Sequence, residues 1–329
     1  MRTLKASIAP LSAFGTRPLG DTFFGQLCWA LRNRLGEERL HDLLAGYTEG
    51  RPFAVVSDAL PAGFLPRPIL PAHWYAAAHE GDRKALKKHV WLPIGAFVEP
   101  VELWLPHCMP ATELPSGAAA SHPHPHNAID RRSGTTGTDF APYTMTRHWY
   151  GRPGEALAQG GDFASVGARL EIRIALDDSR LPVREIEQAL RDIGELGFGR
   201  DASIGLGRYA LLALEEATLP GQRNADAWMT LAPCAPQGLA WRAERSFYTV
   251  FTRFGRHGDM GVHSGKPFKN PVLLANTGAV LCPAAFEPRA FVGQGLGGDG
   301  TLSKAIPETV QQGYAPVVAI RLPEERQLA

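Results

Sequence analysis

The chain opens on an alternating pattern. Leu4, Ala6 and Ile8 fall on one side and Thr3, Lys5 and Ser7 on the other, which predicts a half-buried strand over residues 3–9. Pro18-Leu19-Gly20 breaks it, and Asp21 or Thr22 then stands where a helix cap is expected. Phe24, Leu27, Cys28, Leu31 and Leu35 recur at helical spacing, with Arg32, Arg34, Glu37 and Glu38 mostly off that stripe. Phe53-Ala54-Val55-Val56 reads as a second strand. It runs into SDALPAGFLPRP (57–68), whose prolines force an extended, turn-rich path.

Residues 106–162 are rich in Pro, Gly, Ser, Thr and His and show little periodicity, the mark of a functional or disordered loop. Order returns at 166–176, where Ala168, Leu170, Ile172, Ile174 and Leu176 alternate with Arg169, Glu171 and Arg173. Pro182 suits the start of a helix whose buried face is Val183, Ile186, Leu190 and Ile193, ended by Gly194 and Gly197. GFGRDASIGLGR (197–208) and an apolar strand, Tyr209–Leu214, complete the run.

Strand, helix, strand, long insertion, strand, helix, glycine loop, strand is the βαββαβ order of an α+β, ferredoxin-like (RRM-type) fold. TLPGQRNADAW (218–228) reads as a linker. The short apolar segments at 247–251, 272–274 and 317–322 predict a second, β-rich domain. The expected division is therefore 1–217 and 218–329, and no tandem repeat of 20–50 residues is found.

Composition narrows the function. The 329 residues are 44% hydrophobic and 20% charged, with a net charge of +1, which argues against a free-standing, non-specific nucleic-acid binder. It permits a subunit with a local basic face docked on protein neighbours. No apolar run is long enough to span a membrane, and MRTLKASIAPLSAF lacks the features of a secretory signal. Cys28, Cys108, Cys234 and Cys282 form no CxxC pair, so reduced thiols in a cytoplasm are expected.

The glycine loop is the sharpest chemical feature. Gly197, Gly199, Gly205 and Gly207 surround Arg200 and Ser203 and lead to Arg208. Glycine lets a backbone approach a ligand, successive N–H groups make an anion nest, and arginine adds bidentate phosphate contacts. A helix C-cap followed by a glycine-rich hairpin accounts for the same residues. In the insertion, Arg131, Arg132, Arg147 and Arg152 accompany Tyr143, Met145, Trp149 and Tyr150, the cation-plus-aromatic mixture of single-stranded RNA recognition. The alternative there is a surface loop with core-anchoring aromatics.

Other candidates are Ser57 and Arg67, which the proline-framed loop would present to RNA or else use in a turn. A basic excess at Arg242, Arg245, Arg253, Arg256, Lys266 and Lys269, against Glu244 and Asp259, interleaves with Phe247, Tyr248, Phe251 and Phe254. It reads as a solvated strand face, a second RNA surface or a partner contact, with Lys266 and Lys269 suited to phosphates.

His122, His124 and His126 alternate with prolines and point to one side of an extended chain. No cysteine or carboxylate joins them at ligand spacing, so a flexible surface is expected rather than a metal site. GQGLGG (293–298) lacks the βαβ context of a dinucleotide site and reads instead as a second glycine loop. For a ribonuclease, His41, His148, His257 and His263 are available, but no cluster is defensible. Asp21 fits a helix cap better than a catalytic acid. No metal or cofactor is expected.

Four segments in order carry a family resemblance. GFGRDASIGLGR resembles the glycine-rich signature of the RAMP superfamily. LGDTFFGQLCWAL (19–31), SDALPAGFLPRP and NAIDRRSGTT (127–136) resemble segments of the fourth subunit of type III-A (Csm) CRISPR effector complexes. WMTLAPCAPQG (228–238) and GKPFKNPVLLANTGAVL (265–281) extend the likeness into the second half.

The resemblance implies a non-catalytic subunit that binds the repeat-derived 5′ handle of the guide RNA. It implies docking on the large polymerase-like subunit and on the backbone RAMP subunits. It also implies a β-hairpin thumb, within about 121–160, that distorts the guide–target duplex, and a RAMP-like second domain.

Overall fold

The computed structural model describes residues 1–75, 87–116, 119–136, 141–151, 167–238, 240–258 and 265–324. The first half supplies β1 (Arg2–Pro10), α1 (Gly20–Leu35), α2 (Glu37–Leu44), β2 (Ala54–Val56), β3 (Leu60–Pro61), β4 (Phe64–Pro66), β5 (His89–Pro93), β6 (Met109–Pro110), β7 (Ala119–His126) and β8 (Tyr143–Tyr150). There follow β9 (Leu170–Leu176), α3 (Val183–Leu196), β10 (Tyr209–Glu216), β11 (Ala227–Thr230), β12 (Val250–Arg253), β13 (Val272–Ala275), β14 (Val280–Leu281), β15 (Phe291–Gly297) and β16 (Val310–Ile320).

The first sheet has the order β10-β1-β9-β2, all neighbours antiparallel, with β3 also pairing β9. With α1 between β1 and β2 and α3 between β9 and β10, this is the βαββαβ arrangement that the periodicity predicts. The alternation in β1 buries Leu4, Ala6 and Ile8, while the stripes of α1 and α3 bury Phe23, Phe24, Leu27 and Leu31 against Ile186, Leu190 and Ile193. Each such side chain removed from water contributes about 1.5–3 kcal/mol. The sheet's polar face closes on itself: Lys5 pairs with Glu171 and Glu215, and Arg173 with Glu171.

The start of α1 departs from the sequence reading. Leu19 occupies the cap position and offers no side-chain bond, and Asp21 and Thr22 lie inside the helix. The cap comes from Asp58, whose Oδ1 accepts the Gly20 N–H at 2.7 Å. An acceptor 38 residues away thus replaces the local one, because Pro18-Leu19 carries no side-chain oxygen there.

The second half is β-rich, with a sheet ordered β14-β11-β16-β15 and a β12-β13 pair. Among its described residues there is no α-helix. The connections between its strands are short or rich in Pro and Gly, which leaves no amphipathic run to make one.

The cores cross the expected 217/218 boundary. Leu65, Trp74, Leu92, Phe97 and Trp104 share a cluster with Met229, Val280 and Val318. Tyr314 of β16 enters the first core against Tyr47, and its hydroxyl donates to the Tyr47 carbonyl at 2.6 Å. The Gln312 side-chain amide bonds both backbone groups of Val56 at 2.8 Å, extending β2 where a strand would otherwise pair.

GQGLGG is not a loop at its start. Gly293–Gly297 belong to β15, and a Cβ at Gly295 would press on the Tyr47 backbone. No helix among the described residues is long and apolar enough to cross a membrane.

Candidate nucleic-acid interface

Three segments converge beside the end of β1: residues 11–17, the glycine loop and the root of the β7–β8 hairpin. Phe14 and His148 exchange backbone hydrogen bonds of 2.8 and 2.9 Å. The Phe14 ring meets Tyr150 edge-on at 5.5 Å and Phe198 at 6.1 Å, and Phe198 stacks on Phe23 at 5.0 Å. This aromatic column fixes the hairpin and the loop to helix α1.

Within the loop, the glycines serve close packing of the loop on itself and its neighbours. A Cβ at Gly207 would overlap the Phe198 carbonyl, one at Gly197 the Leu206 carbonyl, and one at Gly199 the Thr16 side chain. Gly205 alone of the four has open space around it.

The amides are mostly used as well. Those of Gly197, Phe198, Arg200 and Ile204 donate to Ile193, Gly207, Thr16 and Asp201, and those of Gly205, Leu206, Gly207 and Arg208 to Ala202, Asp201, Ala13 and Ser12. No run of free N–H donors spans 204–208, but the successive amides of Asp201, Ala202 and Ser203 are not among those used, so an anion nest can form there and not at the glycines that follow. Close packing accounts for the glycines, and the loop's outward chemistry lies in these amides and its side chains.

Ser203 and Arg208 are exposed. Arg200 is partly exposed; it pairs with Asp201 at 3.3 Å and donates to the Thr146 carbonyl of β8 at 2.9 Å. Arg17, exposed on the neighbouring segment, is a cation that the sequence reading missed; only its charge beside the start of α1 could have marked it. His148 faces this group and holds Ser121 Oγ at 2.8 Å through Nδ1. Burial lowers its pKa, and Arg17 and Arg200 lower it further.

The insertion is ordered where it is described. β7 and β8 pair without slippage from Ala119↔Tyr150 to His126↔Tyr143. Beyond them, the Asp130 carboxylate gathers the Arg132 N–H at 2.9 Å and the Ser133 hydroxyl at 3.1 Å, and the turn exposes Arg131 and Arg132. Arg147 lies opposite His122. Arg152 lies outside the described residues, as do Asp259 and His263.

The remaining candidates do not join this surface. Ser57 is fully buried, its hydroxyl donating to the Asp58 carbonyl and accepting the Arg173 N–H, so it shapes the turn from within. Arg67 lies over the Tyr75 ring at 6.0 Å. Arg245 is held by Asp226, and Arg253 grips Asp21 through two bonds of 2.6 and 2.8 Å.

That grip holds Asp21 buried inside α1, where it links the helix to β12. Lys269 is partly buried, and burial pulls its ammonium below its ordinary value, with Cys28 and Asp21 opposing. Lys266 is exposed. His257 is buried on Ser303 Oγ at 2.8 Å, and among the described residues no set of His, Cys, Asp or Glu is grouped to hold a metal.

No family model and no curated protein matches the chain. Its fold matches a chain in solved structures of type III-A CRISPR–Cas assemblies, in keeping with the RAMP resemblance. A crystal structure of a Csm1–Csm4 cassette in complex with pppApA matches with a TM-score of 0.56 and 14% identity, over 99% of this chain and 100% of that one. A Csm1–Csm4 cassette in complex with cA4 gives 0.57 and 15%, over 98% and 100%. A Csm3–Csm4 subcomplex of the type III-A interference complex gives 0.53 and 12%, over 95% and 98%.

Proposed function

We propose that this chain is a non-catalytic RNA-binding subunit of a type III CRISPR effector complex. In this reading it holds the repeat-derived 5′ handle of the guide RNA and joins the large polymerase-like subunit to the backbone subunits. The observation that carries the reading is the full-length likeness to a chain found with both Csm1 and Csm3.

The surface supports it physically. Arg17, Arg200 and Arg208 stand on two adjoining segments at one end of the first sheet, and Arg131, Arg132 and Arg147 on the hairpin beside them. Phosphate contacts of this kind position a polynucleotide without reading its bases. The hairpin is the natural candidate for the thumb, which would reach the guide–target duplex.

A ribonuclease reading has one observation in its favour, His148 beside Ser121, Arg17 and Arg200. A general base needs a second group across the scissile phosphate; His257 is buried on Ser303, and His122 stands on the opposite face of the hairpin from His148.

The test is co-purification with the partner subunits, followed by a salt series. Arg200→Ala with Arg208→Ala should lower guide-RNA retention and flatten its salt dependence, since each lost phosphate contact releases fewer counterions. Retention unchanged across the series would reduce the chain to a scaffold. Cleavage of repeat RNA in chelator, abolished by His148→Ala, would make it a nuclease.

A further inference from the structure

The β7–β8 register brings together residues that the sequence separates. On one face of the hairpin, four successive rungs are His126 with Tyr143, His124 with Met145, His122 with Arg147, and Ala120 with Trp149. The other face carries Pro125, Pro123 and Ser121 with Thr144, Thr146 and His148. The prolines lack an N–H, so they sit where the strand amide points away from β8, and they guard that edge. The three histidines are thus an ordered ladder rather than a flexible tract.

Two properties of the ladder point to a ligand. Its rings are arranged for stacking: His126 lies parallel to Tyr143 at 5.2 Å, and His124 meets His126 edge-on at 5.1 Å. Its charge is also uncompensated among the described residues. Neither strand contains an aspartate or glutamate. Asp130, the acid in the described part of the connection, is occupied by its own turn beside Arg131 and Arg132, and Asp139 lies outside the described residues. The charged groups on the far side are Arg17 and Arg200, next to His148. His126 Nε2 and Arg147 Nε are shielded from water with no hydrogen-bond partner among the described residues.

We propose that this face is a proton-dependent contact for single-stranded RNA, in which the ladder of His122, His124 and His126 meets phosphate, His124 taking up a proton on binding, while His126 and Tyr143 stack on a base. This rests on the RNA-binding reading above and adds its regulation. In the free protein, burial, Arg147 and His126 hold the His124 imidazole below its ordinary pKa. A polyanion supplies the missing counter-charge and reverses that shift, so binding takes up protons and weakens as pH rises.

The experiment measures the affinity of the full chain for a fluorescent single-stranded oligoribonucleotide at about pH 6 and about pH 8, at fixed ionic strength. The wild type should bind on the order of tenfold more tightly at the lower pH. His122→Gln with His124→Gln and His126→Gln should bind within about twofold of wild type at about pH 8 and lose most of the pH dependence. Arg200→Ala with Arg208→Ala should bind more weakly at both pH values yet keep the pH dependence, as should His148→Gln.

A triple variant that keeps the full pH dependence overturns the proposal and leaves the RNA reading standing. So does a His148→Gln variant that abolishes it. A wild type with no measurable RNA affinity at either pH overturns the RNA reading, and this proposal with it.

Discussion

The glycine loop and the β7–β8 hairpin stand side by side and are built on opposite principles. In the loop eight of the twelve backbone amides over 197–208 find an acceptor inside the protein, and three of its glycines are needed so that backbone can touch backbone or Thr16. In the hairpin a face of cations and rings is turned outward, with no acid on either strand to answer it. The loop carries the recognisable signature, yet most of that signature describes packing. The hairpin carries little signature and much of the open chemistry. A glycine-rich motif is evidence of close approach, and what approaches closely can be the motif's own other arm.

If that comparison holds, the largest effects should come from breaking groups that are closed inside. The extreme case is Asp21 with Arg253, a buried pair linking α1 to the second half, with Gln311 also on Asp21 at 3.4 Å. Arg253→Ala leaves a buried carboxylate unanswered and should cost about 3–5 kcal/mol in urea unfolding. Adding Asp21→Asn should recover part of that. A small loss, within about 1 kcal/mol, would mean that the two halves are not latched there.

Next in size is a contrast within the loop. Gly207→Ala meets the Phe198 backbone from a residue at φ +73° and should cost about 3 kcal/mol in thermal unfolding. Gly205→Ala, at φ +90° in open space, should cost about 1 kcal/mol. Equal losses would remove the claim that these glycines are set by packing.

Asp58 sharpens the same point through pH. Burial raises its pKa to about 7, against hydrogen bonds from Thr277 and Gly20 that favour the anion. Its folded pKa lies above its unfolded one, so the unfolded chain releases this proton first. Stability should therefore fall as pH rises from about 4 to about 7 and level off above, by on the order of 4 kcal/mol from this residue. Asp58→Asn keeps an acceptor for the Gly20 N–H. It should flatten that slope and be the more stable protein at about pH 8. A wild-type slope of the opposite sign, lost in the variant, would mean the anion bonds outweigh burial.

Much of the first domain was legible because its information is local. The period-two run in β1 and the helical stripes of α1 and α3 each show a buried face within a single element. The one-sidedness of His122, His124 and His126 was legible for the same reason. Their significance was not, because it depends on which strand lies opposite, and nothing near His124 names Met145 as its neighbour.

Pairings at long range were hidden in the same way: Asp58 capping Gly20, Arg253 reaching Asp21, Gln312 closing β2, and residues 60–108 joining the core of the second half. Ser57 was misplaced because a turn-forming serine and a ligand-touching serine look alike until burial is known. Lys269 is half-buried where Lys266 is exposed, a difference between two cations of one basic stretch that charge alone does not show.

The smallest expected effect on the fold tests the open side of the comparison most cleanly. Arg131 and Arg132 sit at the hairpin's turn, both exposed, and the turn is held by Asp130 through the Arg132 backbone rather than through either guanidinium. Arg131→Ala with Arg132→Ala should therefore change unfolding stability by less than about 0.5 kcal/mol. If both arginines meet phosphate, the slope of log affinity against log salt should shrink by about 1.4 for a single strand. Removing Arg200 and Arg208 deletes the same formal charge but also the bond from Arg200 to the Thr146 carbonyl, so that pair should lose stability as well as RNA. The two double variants differ in what the protein itself asks of the arginines. Should they behave alike in both unfolding and salt response, the distinction between a closed loop and an open hairpin would have no physical content.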